Sequence, residues 1–320
     1  MIAELLCSDK GVPSFSGHVA ERFERSAYIA IQDKLYCVAL HSIGAGPITF
    51  LLGDSAQSLP AEFEKGRDFR LSLDALEFDK GVRISLRNAG IYNSNAIVPL
   101  SREWSVHSWS DAFANLDCIP EDGLSAVRIA NWQTSYECNP LLSYVENDIE
   151  NLSHLIQVGL IEMGGQLASG NSHQQHIAEK LNTVVSDYGI SKLIGAGPGL
   201  TPSGDDFICG VFHALHVREL GAIALGIFAC IRGEIIVRTN AVSATFIEHA
   251  AHGRVDQTTR NLIMAMSRTD SVRTHSVDTA IVDKLGKMGH TSGWDWLSGF
   301  LFCLRSLQNE SALSSVYYAN

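Results

Sequence analysis

Two textures of hydrophobic patterning divide the chain. Up to about residue 130, apolar and polar positions alternate over short runs that are broken by Gly, Asn and Asp. Residues 27–40 (AYIAIQDKLYCVAL) alternate on both sides of a turn at Gln32-Asp33-Lys34, the period-2 signature of half-buried strands. Residues 47–52, 82–86 and 96–100 read as further strands, with one short helix over 110–116. From about Pro140 the apolar spacing lengthens to three and four residues, the period of a helix with one buried face. Helices are predicted over 141–163, 172–188, 204–219, 221–236, 241–252, 256–267, 276–287 and 293–307. The pattern specifies an α+β fold: a β-rich N-terminal sheet or barrel over residues 1–135, then a mainly helical C-terminal domain over 136–320.

Composition adds limits. With 46% apolar and 18% charged residues among 320, a sizeable core can form. The formal net charge of −11 argues against non-specific nucleic-acid binding and against an anionic membrane surface. The longest apolar run, near residues 221–231, is shorter than the ~20 residues of a bilayer span. The first residues carry Glu4 and Asp9 and no basic stretch before a long apolar core, so no signal peptide is expected. Seven scattered cysteines without a Cys-x-x-Cys pair fit buried thiols in a reducing cytoplasm.

The densest chemistry lies in Gly195-Ala-Gly-Pro-Gly-Leu-Thr-Pro-Ser-Gly-Asp-Asp206. Glycines free the backbone and prolines fix it, so this reads as a rigid loop that exposes N–H groups. Ser203 is the expected N-cap of a helix starting at Gly204, and such a start can hold an anion. Asp205 and Asp206 would repel a phosphate unless a cation stood between, and Mg²⁺ is held by one or two carboxylates with phosphate oxygens. The expected site is therefore a Mg²⁺–phosphate site at Gly197, Gly199, Thr201, Ser203, Gly204, Asp205 and Asp206. The plainer alternative is that the acids only complement the helix dipole and Ser203 only caps.

A second segment repeats the first: Ser203-Gly-Asp-Asp206-x-x-x-Gly210 and Ser292-Gly-Trp-Asp295-x-x-x-Gly299 share Ser-Gly-x-Asp-x-x-x-Gly. Two such helix starts could face one ligand, which adds Ser292, Gly293 and Asp295 to the candidates, with His290 just before them. Between the two lies Arg238-Thr239-Asn240. Thr239 or Asn240 could cap the next helix, Thr239 could also reach the ligand, and Arg238 could bind a carboxylate or pair with Glu234. The pairs His213/His216 and His249/His252 have helical spacing but lack the His-Glu-x-x-His form of a zinc site, and read as surface or core residues.

The ordered segments GAGPGLTPSGDDFICG, RTNAVSATFIEHAAHG and GHTSGWDWLSG resemble the family of the AllH-type subunit of bacterial oxamate carbamoyltransferase. The resemblance implies a subunit that works with two others in allantoin breakdown. It would exchange oxalurate and phosphate with oxamate and carbamoyl phosphate, with Mg²⁺ implicated. Two other readings stand beside it: a non-catalytic accessory subunit, and an ATP- or acyl-phosphate-dependent ligase such as a carboxylase. On the leading reading Asp205, Asp206, Arg238 and His290 are the catalytic candidates, and Asp205, Asp206 and Asp295 the metal candidates. The expected ligands are small anions: carbamoyl phosphate, oxamate or phosphate. Ser271–His275 (SVRTH) resembles the phosphate motif of ordinary carbamoyltransferases, but ends in His and reads as chance.

Overall fold

The computed structural model describes residues 14–32, 34–72, 74–79, 81–87, 90, 92–94, 99–100, 120, 122–125, 139–164, 171–185, 187–267, 283–286 and 288–317, with backbone alone at 171–174 and 308–317. The chain divides into two compact units, Met1–Ser94 and Asn95–Asn320. The strand expected at 96–100, the helix at 110–116, most of the helix at 276–287, the motif at 271–275 and the expected boundary near 135 lie largely or wholly outside the described residues.

The first unit is one curled antiparallel sheet with a single parallel edge. Its strands are β1 (Phe15–Arg22), β2 (Ser26–Ile31), β3 (Lys34–Ala39), β4 (Thr49–Leu51), β5 (Asp68–Leu71), β6 (Ala75–Phe78) and β7 (Arg83–Ser85), in the order β4-β3-β2-β1-β5-β6-β7. The predicted hairpin forms as β2 and β3, with Ile31 opposite Lys34 and Gln32 at a φ of 57° in the turn. Alternation then buries Ala27, Ile29 and Ile31 on one face, which is where the core lies. The sequence pattern missed β1, whose third residue is Gly17. The Phe69 ring of β5 covers that position and leaves no room for a side chain. A bulge between Val19 and Glu21 bends the same strand, which helps the sheet curl. Leu59 and Phe63, from the loop before β5, join the hydrophobic cluster of the sheet, and Phe63 meets Phe78 edge-on at 5.0 Å.

The second unit is helical: α1 (Pro140–Gly164), α2 (Asn171–Val184), α3 (Ser203–Val217), α4 (Gly221–Arg238), α5 (Ala241–Ala251), α6 (Gln257–Ser267) and α7 (Ser292–Tyr317). Helix α3 is buried along almost its whole length, so it is the central element. Its main partner is α7. Gly210 of α3 lies against the Trp296 carbonyl of α7, and Gly299 of α7 lies against the Phe207 carbonyl of α3. Any Cβ at either place would collide with backbone. The repeated motif therefore has a packing function: each glycine one turn after its Asp lets the two helices approach reciprocally.

Histidines lock this core. His213 accepts a hydrogen bond from Trp296 Nε1 at Nδ1, 2.9 Å, which leaves Nε2–H to donate to the Arg254 carbonyl at 3.2 Å. His216 Nε2 lies 2.9 Å from the Ala251 carbonyl. The i, i+3 pair thus ties α3 to the end of α5, as core histidines do. Among the described residues no helix is long and apolar enough to cross a membrane.

Candidate functional site

The glycine- and proline-rich loop is held from three sides. Asp148 of α1 accepts the backbone N–H groups of Lys192 at 2.6 Å and Leu193 at 3.0 Å. Gly195 adopts a φ of 74° and presses on the Arg238 carbonyl, where a side chain could not fit. Gly197 and Gly199 also have left-handed φ values, 106° and 96°. Nothing lies within 4 Å of a Cβ placed at Gly199, so only its backbone angle favours glycine there.

The start of α3 differs from the expected one. Pro202 is the N-cap, Ser203 is the first helical residue, and no side chain caps the end. The N–H of Gly204 donates to the Ala196 carbonyl at 2.9 Å, and those of Asp205 and Asp206 donate to the Pro202 carbonyl at 2.9 and 3.1 Å. These three amides are hydrogen-bonded within the protein, one to a loop carbonyl and two to the carbonyl of the N-cap residue. Helix α7 starts in the same way, with Trp294 and Asp295 N–H groups donating to the Thr291 carbonyl at 2.9 Å. Gly293, like Gly204, is held against a preceding carbonyl, that of Leu285, whereas Gly204 meets that of Leu193.

The two neighbouring acids have opposite fates. Asp205 is fully hydrogen-bonded: its Oδ1 accepts Gly195 N–H at 2.7 Å, and its Oδ2 accepts the hydroxyls of Ser243, at 2.6 Å, and Thr239. It joins the loop, the α4–α5 turn and α5 at one buried carboxyl. Burial raises its pKa, and the Ser243, Thr239 and Gly195 hydrogen bonds pull it back. With both oxygens accepting hydrogen bonds, Asp205 fixes these elements relative to one another. Asn240 takes the capping role, accepting Val242 and Ser243 N–H at 3.0 and 3.1 Å, which leaves Thr239 for Asp205.

Asp206 points instead toward α7. Its Oδ2 is buried and has no hydrogen-bond partner among the described residues. Burial holds its pKa well above the usual carboxylate range; the Ser292 hydroxyl lowers it, Asp295 and Asp205 raise it, and Thr201 lowers it. Asp295 is its counterpart on α7. Its Oδ1 accepts the Leu124 N–H at 2.6 Å, and its Oδ2 is likewise buried without a partner among the described residues. Burial pushes its pKa up to about 6, against the Leu124 N–H and the Ser203 and Thr291 hydroxyls. The serines therefore cross over: Ser203 of α3 serves Asp295, and Ser292 of α7 serves Asp206. Thr201 Oγ1 and Ser292 Oγ, 2.9 Å apart, close the gap between the two starts.

The site so assembled contains Thr201, Ser203, Asp206, Ser292 and Asp295, with Gly197 packed against Ser203 at its edge. Besides Asp205, two catalytic candidates remain outside it. The Arg238 side chain is exposed and paired with Glu234 one turn back on α4, the ion-pair alternative weighed above. His290 Nε2 lies 3.2 Å from Asp122 Oδ2 with both side chains exposed. Sequence reasoning missed Ser243, Gly123, Leu124 and Asn139. Gly123 has a φ of 75°, a side chain there would strike the Asp295 carboxylate, and Asn139 Nδ2 holds the Gly123 carbonyl at 2.8 Å. No local signal marks these residues, because Leu124 meets Asp295 across 171 positions of sequence.

Among the described residues no three His, Cys, Asp or Glu side chains group as metal ligands. A hard cation such as Mg²⁺ needs only one or two carboxylates beside other oxygens. The unpartnered oxygens of Asp206 and Asp295, beside the hydroxyls of Thr201 and Ser292, suit that donor type.

No solved structure matches the chain. A family model does, and over a bounded stretch: residues 193–304, from the loop through α3 and on to the part of α7 that packs against it, match the oxamate carbamoyltransferase subunit AllH.

Proposed function

We propose that the chain is a substrate-binding subunit of a carbamoyltransferase that interconverts oxalurate plus phosphate with oxamate plus carbamoyl phosphate. The observation that carries this reading is the pair of buried, unpartnered carboxylate oxygens, Asp206 Oδ2 and Asp295 Oδ2. They sit at two crossing helix starts inside the segment that matches the family. A buried carboxyl oxygen without a hydrogen bond is costly, and the retention of one on each of these two helix starts supports a role in holding a ligand. Asp206 and Asp295 would hold Mg²⁺, which when bound would offset the negative charge of phosphate and carboxylate oxygens. Thr201 and Ser292 would donate hydrogen bonds to those oxygens. In the direction that forms oxalurate, the oxamate nitrogen attacks the carbamoyl carbon and the bond to the phosphate oxygen breaks. The nitrogen loses a proton and phosphate leaves with the electron pair. This chain contributes by positioning and by stabilising charge on the departing oxygens.

The test is a thermal-shift series on the purified chain with phosphate, carbamoyl phosphate, oxamate and ATP, each with and without Mg²⁺. A ligand specific for the native state raises the midpoint by mass action. The expected result is a Mg²⁺-dependent rise with carbamoyl phosphate or oxamate that vanishes in Asp206→Asn. A rise with ATP alone would replace this reading by a ligase. No rise with any ligand in the folded chain would overturn the self-contained site and favour an accessory subunit.

A further inference from the structure

Next to the loop lies a surface that the site does not use. In the last two turns of α4 only Ile231 and Ile235 are buried, while Ile236 and Val237 are 71% and 81% exposed. Gly233 precedes them on the same face at i, i+3 and i+4 spacing. Nothing lies within 4 Å of a side chain placed there. The patch continues toward the site: Asn240 Nδ2 holds the carbonyl of Leu200, itself exposed, at 2.9 Å. Lys192, three residues before the Gly195 that packs on the Arg238 carbonyl, places its Nζ 5.6 Å from the centre of the exposed Tyr144 ring.

Its charge is opposite to that of the whole chain. Arg232 is exposed and forms no ion pair among the described residues, Lys192 is exposed, and Arg238 is balanced by Glu234. The patch is thus apolar with a basic rim on a chain of net charge −11. Exposed apolar surface bordered by charge marks an interaction site, and bare backbone at Gly199 and Gly233 admits close approach.

Resting on the function proposed above, we infer that this face of α4, with Leu200 and Tyr144, is where a partner subunit of the carbamoyltransferase docks. The partner presents an apolar ridge flanked by acidic side chains. Docking there covers the outer side of the Gly199–Leu200 loop, so the partner helps to enclose the ligand. Most of the binding comes from Ile236 and Val237, and Arg232 steers the encounter.

The experiment is co-expression of the full chain with the other two subunits of the carbamoyltransferase, read by co-elution on size exclusion and by measured affinity. The double variant Ile236→Glu/Val237→Glu changes only exposed positions and is expected to keep the wild-type melting midpoint while losing at least tenfold in affinity. Arg232→Glu should weaken binding in low salt and little in high salt. Ile161→Glu, at an exposed apolar position on α1 (68% exposed), should bind as wild type. Normal co-elution of the double variant would overturn the docking face and leave the carbamoyltransferase reading standing. Wild type that fails to assemble with those subunits would overturn both. Self-association or capture by anionic vesicles, lost in the double variant while subunit assembly persists, would assign the face to a second copy or to a membrane instead.

Discussion

Asp205 and Asp206 are adjacent and identical in the sequence, and nothing in the residue pattern distinguishes them. One step along a helix turns a side chain by about 100°, and that turn sends one acid to the loop and α5 and the other to α7. The consequence is a testable contrast. Removing a buried carboxylate that three donors use leaves those donors unpaired, so Asp205→Ala should lose roughly 3–5 kcal/mol of stability. Asp206→Asn should keep or raise the melting midpoint in divalent-free buffer, because an amide removes the penalty of a buried charge while abolishing ligand response. Equal destabilisation of both would contradict the assignment of roles. A second residue-scale effect concerns acid. Burial lowers the His213 pKa from 6.5 to about 3, so the folded protein keeps this ring neutral while the unfolded chain protonates near 6.5. Its contribution is intact above pH 6.5 and is lost as pH falls toward 3, by about 5 kcal/mol in all at 1.36 kcal/mol per unit. Denaturant titrations between pH 7 and 4.5 should show a steeper loss in wild type than in His213→Gln.

At the scale of elements, the helices were the legible part. Long runs with a 3.6-residue period announce themselves, and α3 to α6 lie within a few residues of the expected spans. Short strands do not: β5 and β6 have four residues each, too few for alternation to stand out, and β1 has its pattern broken by Gly17. The repeated Ser-Gly-x-Asp-x-x-x-Gly was visible as a pattern, and its glycines also have a reading at this scale. Gly210 and Gly299 meet the partner helix's carbonyls, and neither backbone can retreat without separating α3 from α7. Gly210→Ala and Gly299→Ala should each cost about 3 kcal/mol, the upper end of overpacking penalties. Gly233 has the same residue type in a helix but open space around it, and Gly233→Ala should gain up to about 1 kcal/mol from helix propensity. Chemical denaturation of the three variants checks the order, and a destabilised Gly233→Ala would show that space at that face is not free.

For the molecule as a whole, what could be read was the division of labour between a β-rich part and a helical part. What could not be read was the closure of the site, since Leu124, Asn139 and Ser243 approach Asp295 and Asp205 only after the chain has folded. Two separate hydrophobic clusters result, one within the sheet and one among the helices. A protein with two cores need not unfold in one step, and scanning calorimetry should resolve two transitions or one with a calorimetric enthalpy above the van't Hoff value. The residues of the candidate site belong wholly to the second unit. Ligand binding to native protein stabilises only the unit that holds the site, by about 2.7 kcal/mol at a hundredfold excess over Kd. Carbamoyl phosphate with Mg²⁺ should therefore raise the transition of the helical unit and leave that of the sheet in place. The two transitions can be assigned by tryptophan fluorescence, because Trp294 and Trp296 are buried in the helical core. A rise confined to the transition that fluorescence does not report would place the ligand on the sheet and remove Asp206 and Asp295 from the site.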